Sequence, residues 1–145
     1  MRVFLYAVFF AMASVIALGQ SKGTKTVLSY TYHGHGFYAA FIDATSVDGA
    51  CSITVISSTG NGASRTTGPL DPATFAKLMA GVSQIEAISA AGSIETTGEL
   101  YHVIETLVQN KDGSKSEKHV IPEKDAPEAF RAWLKLLSDL SGIRL

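Results

Sequence analysis

No disulfide can close within this chain, because Cys51 is its only cysteine. A chain of this length can bury a core large enough to do without one. Cys51 itself reads as an apolar residue at the start of a strand, with no basic neighbour to lower its thiol pKa. Charge of one sign is also missing. Twelve Lys and Arg against 13 Asp and Glu give a formal net charge of −1, which argues against nucleic acid or anionic lipid as the main partner. Past residue 19 no apolar run is long enough to span a bilayer. H-E-x-x-H, G-x-S-x-G and P-loop strings are all absent, so the chain is expected not to be an enzyme and to carry no cofactor.

What is present begins with a leader. Met1 and Arg2 form a short positive region, and residues 3–16 are apolar except for Ser14. Ala17-Leu18-Gly19 then offers the small residues that a signal peptidase reads, so cleavage before Gln20 is expected. The division is a signal peptide over 1–19 and a single exported α+β domain over 20–145, periplasmic or secreted, with no membrane insertion once the leader is removed.

The strongest local signal in that domain is Leu70-Asp71-Pro72-Ala73-Thr74-Phe75. Asp71 is placed to cap a helix, Pro72 needs no donor in the first turn, and Leu70 and Phe75 can close a hydrophobic staple. A helix is predicted over residues 72–84, with Phe75, Leu78, Met79 and Val82 on its buried face. A second is predicted after Asp125, which is placed as its cap, with Glu128 completing a capping box and Pro127 in the first turn. Its stripe is Phe130, Trp133, Leu134, Leu137 and Leu140, and Gly142 stops it. Burying such side chains contributes about 1.5–3 kcal/mol each.

Strands fill the remainder. Residues 26–32 are β-branched and aromatic, and residues 37–42 can be strand or helical turn. Asp48-Gly49 marks a tight turn, and Cys51, Ile53 and Val55 then alternate with Ser52 and Thr54. A short returning strand is expected at Arg65-Thr66-Thr67 and an irregular connector over 87–98. In residues 100–109, Tyr101, Val103 and Leu107 share one side and His102, Ile104 and Val108 the other. After the Asn110–Gly113 turn signal, Lys115, Glu117 and Lys118 mark a charged edge strand. The expected architecture is an antiparallel sheet of about four to six strands with two amphipathic helices packed on one face.

Chemistry-bearing residues are few. Gly34-His35-Gly36-Phe37-Tyr38-Ala39 matches a dinucleotide-binding string but has no βαβ unit around it. His33 and His35 stand two apart, so in extended backbone both imidazoles reach one side and can hold a metal, with His102 or His119 as a third ligand if their strands adjoin. A small exported hydrolase would need a pocket bringing a histidine against a serine or a carboxylate. The polar, Gly-rich loops around His33, Gly34, His35 and Gly36, and around Asn61 and Arg65, are the best partner-binding candidates.

Early strands, the Thr67-Gly68-Pro69-Leu70-Asp71-Pro72 helix start, the Lys111-Asp112-Gly113 turn and the return strand to Val120-Ile121-Pro122-Glu123 come in that order. Ala126-Pro127-Glu128-Ala129-Phe130-Arg131-Ala132-Trp133-Leu134 opens the last helix. The layout over residues 26–140 resembles the emfourins, small bacterial protein inhibitors of protealysin, a thermolysin-type metalloprotease. The resemblance implies a non-enzymatic domain acting by protein contact on a secreted protease, and no inhibitory residue is transferred from that family. The alternative reading is a small metal-binding envelope protein using His33 and His35.

Overall fold

The computed structural model describes residues 23–33, 40–59, 62–89 and 100–145. The leader at 1–19, residues 90–98 of the connector expected over 87–98, and the loop residues Gly34, His35, Gly36 and Asn61 lie outside the described residues, and residues 87–89 are helix instead of connector. Six strands are described: β1 (Lys25–His33), β2 (Ala40–Val47), β3 (Ala50–Thr59), β4 (Gly62–Leu70), β5 (Tyr101–Asn110) and β6 (Gly113–Pro122). They form one antiparallel sheet in the order β4-β3-β2-β1-β5-β6.

Turn chemistry sets the register. Val47 pairs with Ala50 across Asp48 and Gly49, which both take positive φ, +50° and +86°. That is the backbone a two-residue hairpin requires to match strand twist. Between β5 and β6, Asn110 Oδ1 accepts the Asp112 N–H at 2.9 Å, and Gly113 takes φ +146°. An asparagine side chain that mimics a backbone turn explains why the chain reverses there. β6, with Lys115, Glu117 and Lys118, lies at one sheet edge as its charges imply, and β4 lies at the other.

Pairing and alternation sort each strand into two sets. Leu28, Tyr30, Ile42, Ala44, Ile53, Leu70, Ile104 and Ile121 belong to one face by register, and all are core residues. The same cluster takes Phe75, Leu78, Val82 and Ile85 from helix α1 (Pro72–Ser89) and Phe130, Trp133 and Leu137 from helix α2 (Glu128–Ser141). No residue of the opposite set enters it; Val103 is buried but stands outside the cluster.

The start of α1 is as the sequence implies: Asp71 Oδ2 accepts the Thr74 N–H at 2.9 Å and the Thr74 hydroxyl at 3.1 Å. The helix runs five residues further than expected, to Ser89, and Ile85 adds a fully buried turn to the stripe. β4 is also longer than the three residues expected, because its nine residues pair along β3 despite their Gly, Ser and Thr content. Of residues 37–42, for which the sequence allows strand or helical turn, 40–42 are strand and 37–39 lie outside the described residues.

The second helix starts differently from its sequence signal. Glu123–Asp125 form a 3-10 turn, and α2 begins at Glu128 behind Pro127, with no side-chain cap. Pro127 forces the residue before it out of the helical region, and Ala126 indeed sits at φ −61°, ψ 114°. Asp125 is thus cut off from the helix it was expected to cap. The far end agrees with expectation: Gly142 takes φ +69° and its N–H bonds to the Ser138 carbonyl.

Candidate functional site

Beside the core, where β1, β5 and the start of α2 meet, lies a cleft of about 340 Å³. The strand register builds its floor. Tyr32 stands directly opposite His102, and Tyr30 is two residues along on the same face. Tyr30 Oη and His102 Nδ1 are 2.9 Å apart in a fully buried pair. Phe130 from α2 closes on the imidazole, with ring centroids 4.9 Å apart, and Tyr32 flanks it at 5.0 Å. Glu123 arrives from the end of β6, where its N–H bonds to the Leu100 carbonyl at 3.0 Å. Its Oε2 accepts the Tyr32 hydroxyl at 2.9 Å. Ala126, Arg131 and Leu134 line the cleft from the α2 side, and Arg144 and Leu145 from the segment after it.

Burial sets the protonation states. The Tyr30 phenol is pushed far above its ordinary value, mainly by desolvation and then by the nearby Tyr32 and Glu123. Tyr32 is also raised, by desolvation and by its bond to Glu123. His102 is lowered by burial, which outweighs the pull of the Glu123 carboxylate in the other direction. At neutral pH the floor is therefore a neutral phenol bonded to a neutral imidazole. One of the two donates, according to the imidazole tautomer.

The residues singled out from sequence fall elsewhere. His33 belongs to the opposite sheet face from His102, and its ring stacks on Tyr101 at 4.6 Å and 3°. His119 shares the face of His102, across from Ile104, so neither joins His33 from that side. No group of three or more metal-ligating side chains occurs among the described residues. Arg65 is exposed on β4, opposite Ile56. The cleft does unite an imidazole with a carboxylate, the pairing a hydrolase would need, although no serine, threonine or cysteine among the described residues lines it.

Strand direction adds a relationship that single elements do not reveal. β1 ends at His33 opposite Tyr101, β3 ends at Thr59 opposite Gly62, and β6 ends at Pro122 opposite Tyr101. The ends that carry the two candidate loops, the start of β5 and Glu123 are therefore all at one end of the sheet. The Asp48-Gly49 and Asn110–Gly113 turns are at the other.

Tyr30, Tyr32, Glu123, Arg131 and Arg144 are absent from the sequence-derived candidates. The alternation Tyr30-x-Tyr32 and the side assigned to His102 were readable; their adjacency depends on β1 pairing with β5. No helix among the described residues is long and apolar enough to cross a membrane. No protein-family model matches the chain, and no curated protein matches it.

Proposed function

We propose that this chain is an exported, non-enzymatic protein-binding module that inhibits a thermolysin-type metalloprotease. The observation that carries the reading is that the strand ends leading into both candidate loops lie at one end of the sheet. His33, the β3–β4 hairpin ends and Glu123 then form a single rim of polar groups set on strands, as a protein contact needs. The reading takes both helices to lie on one face of the sheet. Its support is that every core strand residue belongs to one alternation set. A rigid scaffold of this kind presents a rim at low ordering cost.

Binding rather than turnover is supported by the cleft chemistry. Tyr30 Oη and His102 Nδ1 engage each other, the Tyr32 hydroxyl is held by Glu123, and among the described residues no serine, threonine or cysteine stands beside them in the lining. Export rests on the leader, and N-terminal sequencing of protein from the envelope or medium should begin at Gln20. Inhibition is tested by following peptide hydrolysis by a thermolysin-type enzyme as purified protein is added. Slowing that saturates near equimolar protein is expected, and charge reversal at Arg65 should weaken it. Unchanged hydrolysis at large excess of the chain would refute the proposal.

A further inference from the structure

The sheet rim shares Glu123 with the cleft, but the rest of the cleft lining has no part in the protein contact proposed above. Its walls differ in character. Leu134 and Leu145, both half-buried, offer apolar surface, while Arg131 and Arg144 are solvent-exposed cations at the same opening. Among the described residues neither guanidinium takes part in an ion pair. Glu123, the acidic side chain of the lining, is already engaged by the Tyr32 hydroxyl. Among the lining side chains, two exposed cations stand against one engaged carboxylate, a balance that favours an anion over an amine. The guanidinium fork suits a carboxylate in particular, which it can grip through two parallel bonds.

Size and shape narrow the class. A volume of about 340 Å³ is at the small end of organic-ligand pockets and well below what a folded partner would fill. Inorganic anions would leave the Leu134 and Leu145 surface uncovered, whereas an aromatic or branched body would bury it. Tyr32, half-buried and 5.0 Å from the His102 ring, adds an aromatic surface on which such a body can rest.

We propose that this cleft binds a small organic acid, a carboxylate carried on an aromatic or branched apolar body. Arg131 and Arg144 hold the carboxylate, and Leu134 and Leu145 pack on the body. The test is calorimetric titration of the full chain with 3-phenylpropionate, 3-phenylpropanamide and acetate. Saturable binding of the acid is expected, with the amide roughly tenfold or more weaker and acetate showing no saturable heat. Arg131→Gln and Arg144→Gln, both at exposed positions, should weaken the acid by a similar factor while leaving the melting temperature and the amide unchanged. Equal affinity for acid and amide, no saturable heat with the acid, or full retention of binding in both variants would each overturn the proposal. Saturation by N-acetyl-glycyl-phenylalanine but not by the free acid would overturn it in favour of a peptide C-terminus.

Discussion

Trp133 donates its indole N–H to the backbone carbonyl of Leu78 at 2.9 Å, joining α2 to α1 through one buried bond. The ring can come that close because Gly81 lies beneath it: a Cβ there would run into Trp133 Cδ1. Glycine inside a helix costs about 0.5–1 kcal/mol relative to alanine, so this one is kept for the contact and not for helix propensity. Gly81→Ala is therefore expected to lose about 1–3 kcal/mol through overpacking where propensity alone would give a gain. Urea unfolding measures the sign directly, and a higher midpoint in the variant would mean the indole is not held where the contact requires.

The Tyr30–His102 pair is a second buried bond between parts of the chain far apart in sequence. Tyr30→Phe keeps the ring but leaves His102 Nδ1 without this partner, a desolvation penalty of about 1–3 kcal/mol. His102→Leu alone strands the phenol in the same way. Removing both should cost less than the two single losses added together, since neither polar group is then left alone. A double-mutant cycle in urea checks this, and strict additivity would show that the hydrogen bond contributes nothing beyond packing.

The two helix starts separate a working cap from an apparent one. Asp71→Ala removes the acceptor of the Thr74 N–H and should cost about 1 kcal/mol. Asp125→Ala touches no helix bond, since α2 begins beyond Pro127 without a side-chain cap, and should stay within about 0.5 kcal/mol of wild type. Thermal melts of the two variants give the comparison, and equal losses would mean that Asp125 does cap α2.

These cases show what sequence could and could not convey. Asp71-Pro72, Asp48-Gly49 and the Cys51-Ile53-Val55 alternation were legible because each is a local rule, complete within a few residues. Asp125 misled because a capping box was weighed without the restriction that Pro127 imposes on Ala126. β4 was under-read because Gly, Ser and Thr carry little strand signal; its length comes from pairing with β3. The cleft was the least visible feature. Tyr30 and His102 are 72 residues apart and Tyr32 and Glu123 are 91, so their meeting depends on which strands neighbour each other. No period or spacing in one chain encodes that order.

Acid should weaken this fold through His102. Burial lowers its folded-state pKa below the ordinary 6.5 of an accessible imidazole, against the opposing influence of Glu123. Between the folded and unfolded values the unfolded chain binds more protons, so stability must fall as pH drops. The contribution of the neutral imidazole is complete above about pH 6.5, declines as pH falls to the lowered folded value, and levels off below it. Carboxylates titrate mostly near pH 4, so a measurement from pH 8 to 5 is dominated by imidazoles. His102→Gln keeps a polar group near Tyr30 but cannot be protonated, and its urea midpoint should decline less over that range than wild type. Because the other three histidines are common to both proteins, the difference between the two curves isolates His102. Parallel curves from pH 8 to 5 would show that burial does not hold this imidazole neutral.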